Sequence, residues 1–488
     1  MNDSTPMDLT SSPVNLDWNK VVREMKTTPT LQVVMNPMLR RGSPIHDRAF
    51  AELRKLGADF VRYVPWFPYP QDAIAELYPP ADGKTCWDFT RIDPIAIDQL
   101  EATQGHPVMF NFSTIPPWMF KVEKLVPYPE DPDQPIWNYQ IGTELRDPTL
   151  KELGDYFARL VAWYMKGGFE DELGKFHQSG HHYPIDYWEV LNEVDFEHNM
   201  TPEQYTERYD AIVSTIRGVA PKMKFVGMSL AMPSLNPRFF EYFLDAKNHK
   251  PGIPLDMISY HFYASPAADE TMEVEQYTYF AQADGFLNSV RYIESIRKRL
   301  SPDTGTTINE IGVIRADDGL QILPGHVAQP IPDAYWNLAG AIYAYVFAHL
   351  AVLGIDIAGE SQLVGYPSQF PSVTMVDWNT GAPNARFRVL ELLKKHFHPG
   401  DQIVGTITGS FMSSPYYHGQ AFKTRDGKCK LLLISKRARS LDLSLPGFSG
   451  ATAEVVDQAT AGGTARSEKL SKDSYRLPGF SVAVLTLP

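Results

Sequence analysis

The sequence predicts a (β/α)8 barrel followed by a small β-sandwich. Two observations predict the barrel. Short apolar runs alternate with amphipathic helical stretches eight times between residues 31 and 363, and glycines stand where the first helices stop. Such alternation is the pattern of βαβ units on a parallel sheet, and eight units with inserted loops close a barrel. A third observation predicts the sandwich: after residue 395 the rhythm becomes short alternating strands separated by Gly, Pro and Asp turns.

The elements read in chain order. Residues 1–30 are polar and rich in Pro, Ser and Thr, and are expected to form an irregular leader. LQVVMNP (31–37) is the first strand, and HDRAFAELRKLG (46–57) a helix with a glycine stop. ADFVRYVPW (58–66) is the second strand, followed by the helix IDPIAIDQLEATQG (92–105). HPVMFNFS (106–113) is the third, followed by a long amphipathic helix over 150–168. PIDYWEVLNEVD (184–195) is the fourth strand, MKFVGMSL (223–230) the fifth and LDMISYHFYA (255–264) the sixth, with helices over 202–220, 237–248 and 275–300 after them. TTINEIGVI (306–314) is the seventh and IDIAGESQL (355–363) the eighth, with a helix over 334–354 between them. That helix is apolar enough to suggest a membrane span. Asn337 interrupts it, Tyr and His are scattered through it, and it keeps the βα rhythm, so it reads as a packed barrel helix. The expected domains are a catalytic barrel over 31–395 and an accessory sandwich over 396–488.

Composition narrows the function classes. Hydrophobic residues make up 43% and charged residues 21%, a globular balance. The net charge of −13 argues against a nucleic-acid or anionic-membrane partner, either of which wants a basic patch. The two cysteines, Cys86 and Cys429, make no disulfide framework and no zinc motif. His181-His182 and the pair His396 and His398 lack further ligands at a metal-site spacing. The N-terminus has no basic start followed by an apolar stretch, so the chain is expected in the cytoplasm, or outside with a signal segment already removed. There is no phosphate-cradling loop, no Gly-x-Ser-x-Gly elbow and no dinucleotide fingerprint, so no cofactor and no metal is expected. No oligomeric state is assigned.

A barrel places its catalytic groups where strands end, because the βα loops there build the active face. Two carboxylates lie there, each directly after an asparagine: Asn192-Glu193 at the end of the fourth strand and Asn309-Glu310 at the end of the seventh. A glutamate on a buried strand is costly unless it is paired. Two that converge on one mouth fit glycosidic bond chemistry, in which one carboxyl protonates the leaving oxygen and the other attacks the anomeric carbon or activates water. Asn192 is suited to a sugar hydroxyl beside the reacting carbon.

With these residues in place the chain resembles the clan A glycoside hydrolases, and within them glycoside hydrolase family 39. The resemblance rests on Trp188-Glu189-Val190-Leu191-Asn192-Glu193 and on Ile258-Ser259-Tyr260-His261-Phe262-Tyr263, with support from Trp87-Asp88-Phe89 and the trailing sandwich. It implies that Glu193 is the acid/base and Glu310 the nucleophile of a retaining reaction, with carboxyls roughly 5–5.5 Å apart. Such nucleophiles often sit in Thr-Glu followed by an aromatic residue. Here Glu310 follows Asn309 and precedes Ile311-Gly312.

Glu193 should therefore be held protonated and Glu310 ionised, with His261 or Tyr263 donating to Glu310. Arg62 is a further candidate for a carboxylate or a sugar hydroxyl. Asn111, Trp66 and Trp118 are candidates for the walls of a sugar site, and Glu360, Gln362 and Trp378 for its lining beyond the eighth strand. Glu189, inside the fourth strand, is expected to face a structural partner. The acidic stretch PYPEDPDQP (127–135) reads as a loop over the mouth. Few basic residues line the strand ends besides Arg62 and Arg315, which favours a neutral sugar of the xyloside, arabinoside or glucoside type. Two alternatives stand beside hydrolysis: transglycosylation by the same carboxyls, and a catalytically silent carbohydrate-binding barrel.

Overall fold

The computed structural model describes residues 14–125, 127–137, 142–318, 330–407 and 414–488. The chain runs β1 (Asn15–Glu24), β2 (Thr28–Val34), α1 (His46–Leu56), β3 (Val61–Val64), α2 (Ile92–Ala102), β4 (Val108–Phe110), α3 (Lys151–Lys166), then a short hairpin of β5 (Gly168–Glu170) and β6 (Phe176–Gln178). It continues through β7 (Tyr187–Glu189), α4 (Pro202–Val219), β8 (Lys224–Leu230), α5 (Pro237–Phe243), β9 (Met257–Ala264), α6 (Met272–Leu300), β10 (Gly305–Val313), α7 (Asp333–Leu353), β11 (Ile357–Glu360) and α8 (Ala385–His396). Among the described residues eight parallel strands close a barrel in the order β2-β3-β4-β7-β8-β9-β10-β11. These are the eight strands expected from the sequence, and the (β/α)8 barrel with a C-terminal antiparallel sheet is the fold.

Local chemistry explains the elements that position the site. The α4 start is a capping box: the Thr201 side chain accepts from the Gln204 backbone and the Gln204 side chain accepts from the Thr201 backbone. Between β9 and β10 the register shifts by one residue just before the mouth, so that Glu310 falls opposite His261. A bulge of this kind re-aims the side chains beyond it. The expected barrel helix over 334–354 is α7, whose residues pack almost entirely inside the main core.

After α8 come β12 (Gln402–Ile407), β13 (Tyr417–Lys423), β14 (Cys429–Ser435), β15 (Leu441–Ser444), β16 (Thr452–Val456), β17 (Arg466–Lys469), β18 (Ser474–Leu477) and β19 (Val482–Thr486). One sheet has the order β1-β12-β13-β14-β19-β16-β17, and β15 pairs with β18. The period of two along β14 and β19 divides their side chains between two cores. Leu432, Ile434, Val482 and Val484 join the barrel core, while Leu431, Leu433, Ala483 and Leu485 join a second core with Leu443, Tyr475 and Leu477.

One sequence expectation is corrected here. The irregular leader over 1–30 contains β1, which pairs antiparallel with β12 from Asn15 opposite Ile407 to Glu24 opposite Gln402. Leu16 and Trp18 pack on the second core while Val21 and Val22 lie exposed. A half-exposed edge strand carries polar residues on its open side, and that composition reads as a loop. Residues 1–13, and 408–413 of the expected sandwich strands, lie outside the described residues.

Candidate active site

The mouth of the barrel is built where β7, β8, β9 and β10 end. Strand β7 stops at Glu189, earlier than the sequence suggests, and Asn192 and Glu193 stand in the turn beyond it. Leu191 and Glu193 (φ 65° and 43°) and Met228 and Ser229 at the end of β8 (φ 82° and 48°) all have left-handed backbone. Each costs roughly 1–3 kcal/mol for a non-glycine residue, and such residues gather at functional sites. The Glu193 amide donates to the Ser229 carbonyl at 2.8 Å, which ties the two strained turns together.

The carboxyls meet across His261. Its Nδ1 lies 2.9 Å from Glu193 Oε1, and its Nε2 lies 2.9 Å from Ser229 Oγ and 3.5 Å from Glu310 Oε1. An oxygen of Glu193 and an oxygen of Glu310 lie within 4.8 Å of each other. Glu310 Oε1 accepts from the Arg62 guanidinium at 2.5 Å and Oε2 from the Tyr263 hydroxyl at 2.5 Å. Arg62 is 1% exposed and also binds Glu189 (2.5 Å), Gln32 (2.7 Å), Asn192 Oδ1 (2.6 Å) and Ser229 (3.1 Å). Such a planar five-donor fork can hold two carboxylates and three neutral acceptors at fixed angles.

Electrostatics separates the pair. Burial pushes Glu310 up, but the adjacent His261 ring and Arg62 guanidinium, with the Tyr263 hydroxyl, outweigh it and hold the carboxyl below its ordinary value. Burial raises Glu193, the Glu310 charge adds to this, and His261 only partly opposes it, so Glu193 stays above its ordinary value. Burial lowers His261, and the two carboxylates more than reverse that. An acid and a base thus stand side by side, split by their surroundings.

Glu193, His261 and Glu310 present three ligating atoms within 4.8 Å of one another, the donor set closest to a cation site among the described residues. Arg62 and Tyr263 already direct positive hydrogens at Glu310 and do not suit it for a metal.

The structure brings Glu193, Glu310, Asn192, His261, Tyr263 and Arg62 into one cluster, with Trp66 at its edge. Asn192 accepts from Arg62 and Ser229 through Oδ1 and donates to Glu197 through Nδ2 at 2.8 Å. Trp66 donates to the same Glu197 oxygen at 2.5 Å and meets Trp137 and Phe370 at ring distances of 5.3 and 6.4 Å. Those aromatics come from three loops and make one wall.

Other candidates lie elsewhere. Asn111 is wholly buried and donates to Glu189 at 2.5 Å and to the Leu191 carbonyl at 3.0 Å, so it supports the strand and not a ligand. Trp118 is 4% exposed, bonds the Glu76 carbonyl and is covered by the Arg146 guanidinium 4.4 Å above its ring, which leaves no face for a sugar. Glu360 points to the helix layer and pairs with Arg386 on α8 at 2.9 Å, because alternation along β11 sends the next residue, Ser361, inward to Tyr263. Gln362 is buried against the Gln369 carbonyl. Trp378 packs, partly buried, against the main core. Glu189 accepts from Arg62, Asn111, Ser259 and Asn309, a structural anchor at the barrel centre. Trp87-Asp88-Phe89 packs on α3, with Phe89 stacked 3.9 Å from Trp163. The acidic stretch 127–135 is tied down by ion pairing of Asp133 with Arg40 and by a bond from Gln71 to the Pro129 carbonyl.

Sequence reasoning missed Glu197, Gln32, Ser229 and Ser361 at the site. Ser229, next to last in β8, and Ser361, directly after β11, occupy strand ends of the barrel and could have been found by that rule alone, whereas Gln32 lies inside β2. Glu197 lies in a turn and carries no such signal.

No family model and no curated protein matches the chain. Among solved structures it is similar to a GH51 arabinofuranosidase from Xanthomonas axonopodis pv. citri, at 13% identity over 98% of this chain and 100% of that one, with a TM-score of 0.66. An alpha-L-arabinofuranosidase from Thermotoga maritima matches at 14% identity over 98% and 100%, with a TM-score of 0.62. A GH30 endoxylanase from Clostridium papyrosolvens C71 matches at 14% identity over 97% and 99%, with a TM-score of 0.57. At these identities the likeness is one of fold, and it spans the barrel and the C-terminal sheet together.

Proposed function

We propose that the protein is a retaining glycoside hydrolase of the clan A type, acting on a neutral sugar. The observation that carries this is the carboxyl pair itself: Glu193 and Glu310 approach within 4.8 Å and shift in opposite directions. An approach this close is on the side of the roughly 5–5.5 Å of retaining enzymes, which supports a direct attack by Glu310.

In the first step Glu310 attacks the anomeric carbon as Glu193 gives its proton to the departing oxygen. The carbon–oxygen bond breaks and a glycosyl ester of Glu310 forms. In the second step Glu193, now a carboxylate, takes a proton from water as that water displaces Glu310. Arg62 and Tyr263 keep Glu310 ionised and aimed, and His261 adjusts to the charge that moves between the two carboxyls. The structural neighbours include arabinofuranosidases and an endoxylanase, which supports a pentose or related neutral unit. The strand-four and strand-six motifs favour a place in or near family 39. The C-terminal sheet is read as a brace for the barrel, since one of its faces belongs to the barrel core.

The test is hydrolysis of aryl glycosides and natural oligosaccharides, spanning pentosides, hexosides and uronides of both anomers, by wild type and Glu310→Gln. Turnover that vanishes in the variant supports the reading. Turnover that survives in it sinks the role of Glu310, and silence across the panel moves weight to a carbohydrate-binding barrel.

A further inference from the structure

The departing group must stand beside the acid. In a retaining reaction the carboxyl that gives its proton to the departing oxygen marks the leaving-group side of the site. Here that carboxyl is Glu193, in the turn between β7 and α4. The same turn carries Phe196, whose amide donates to the Glu193 carbonyl at 2.8 Å. Asp195 ties this turn to the next one, between β8 and α5. Its Oδ1 accepts from the Ala231 amide at 2.9 Å, and its Oδ2 from the Met232 amide at 3.0 Å and from Asn236 Nδ2 at 3.1 Å. The Leu235 amide closes the second turn on the Met232 carbonyl at 3.1 Å. Both turns follow the C-terminal ends of barrel strands, so both rim the mouth.

This stretch of rim is apolar. Leu235 and Phe196 are 73% and 63% exposed, the two most exposed large apolar side chains among the described residues, and Met232 is 44% exposed. Single apolar residues scattered over a surface are ordinary, whereas a group of them gathered at a site marks a binding surface. The polar side chains of the second turn are engaged by the protein: Asn236 by Asp195, and Ser234 by Ser289 of α6 at 2.9 Å. Met232 and Leu235 offer neither a flat ring face nor a hydrogen bond to a sugar, and suit a hydrocarbon. The aromatic wall stands on another side. Trp66 and Phe370 lie beyond β3 and β11, the two neighbours of β2, and β8 is four strands from β2 around the closed barrel. One side of the mouth thus carries rings on which a sugar can stack, and the side of the acid carries an aliphatic rim.

We propose that the leaving group is an apolar aglycone, an alkyl or aryl group instead of a second sugar, and that Phe196, Met232 and Leu235 form the surface on which it lies. The proposal rests on the glycosidase reading and deepens it, since it assigns the class of the departing group to named side chains. It gives those side chains no part in bond making or breaking.

Methyl and n-octyl glycosides of one sugar test it. Their alcohols depart with similar ease, so a difference between them reports contact beyond the glycosidic oxygen. The pairs are the β-D-xylosides, α-L-arabinofuranosides and β-D-glucosides, with each octyl member kept below its micelle concentration. Wild-type kcat/KM should favour the octyl member by at least ~10-fold, a factor that burial of about two methylenes already supplies. Phe196→Ser and Leu235→Ser, singly and together, should bring that ratio down toward one. Both positions are open to solvent, so serine there costs the fold little. A rim with no role would leave the ratio as it is in wild type, which overturns the proposal. A wild-type ratio near one overturns it too, as does a disaccharide of the same sugar hydrolysed in preference to the octyl glycoside. Calorimetry of the same pairs on Glu310→Gln, with and without Leu235→Ser, reads selectivity without turnover. An octyl preference that Leu235→Ser abolishes, in a protein that hydrolyses nothing, upholds the rim and sinks the hydrolase reading. Turnover with no octyl preference does the reverse, and failure of every member to bind sinks both. Sedimentation at assay concentration covers the other occupant: a dimer that Leu235→Ser dissociates, while the octyl-to-methyl ratio holds, assigns the rim to a second copy of the chain and overturns the proposal.

Discussion

Gly312 lies flat against Tyr263. A Cβ at that position would come within 2.9 Å of Tyr263 Cε1 and 3.0 Å of Cδ1. Gly312 leaves that space open, and the ring of Tyr263 from the neighbouring strand β9 crosses it to reach Glu310. Gly312→Ala should push Tyr263 aside and weaken its bond to the carboxylate. Losing a bond to a charged group costs about 1.5–3 kcal/mol, so kcat should fall roughly 10- to 100-fold. Tyr263→Phe should reproduce that loss. Steady-state kinetics of the two variants, alone and combined, checks it: a shared mechanism gives a double variant little worse than either single one.

Removal of the acid should discriminate among leaving groups. Glu193→Ala should spare aryl glycosides whose phenols leave unaided and cripple those that need a proton. Added azide should restore turnover of the activated substrates and yield a glycosyl azide of retained configuration. A product of inverted configuration would exclude Glu310 as the nucleophile.

The opposite shifts of the pair predict a bell. Glu310, held below its ordinary 4.5, must be ionised, so kcat/KM should rise through a limb below pH 4.5. Glu193, held above 4.5, must be protonated, so activity should fall through a second limb above that pH. Both limbs belong to the coupled pair and to His261 between them. Glu193→Gln, assayed on an activated substrate, should lose the alkaline limb and keep the acid one.

His349 on α7 and His418 on β13 lie with ring centroids 4.5 Å apart, tilted by 35°, between the barrel and the sheet. Burial holds His349 down at about 4 and holds His418 well below its ordinary value too. Each stays neutral in the fold but takes a proton when unfolded below pH 6.5. Stability from this source is complete above 6.5 and declines as pH falls toward 4, by up to about 3 kcal/mol for His349. Thermal melts of His349→Phe should therefore depend less on pH across that window than melts of wild type. Parallel curves for the two proteins would refute this account.

The barrel was legible because its signals are local. Apolar runs that stop at Gly and alternate with 3.6-period helices fix strand and helix without long-range knowledge, and the position of Glu193 and Glu310 follows from counting. What the sequence hid depends on direction. Glu360 and Ser361 are successive residues at the end of β11, yet only Ser361 faces inward, and the phase of the side-chain alternation decides it. Trp118 and Trp66 carry the same side chain, but Arg146 covers one ring and a shared carboxylate orients the other. Glu197 was unreadable for a different reason: its place depends on a turn that closes through the Glu193 carbonyl. The polar face of β1 concealed a strand whose partner lies in the last fifth of the chain.

That last pairing sets a clock on synthesis. Strand β1 leaves the ribosome roughly 400 residues before β12, its partner. At ~5–20 residues per second the interval is ~20–80 s. Through that time Leu16 and Trp18 have no second core to enter, because the residues that build it have not been made. The barrel strands can pair as they emerge, whereas the sheet beside them must wait for both ends of the chain.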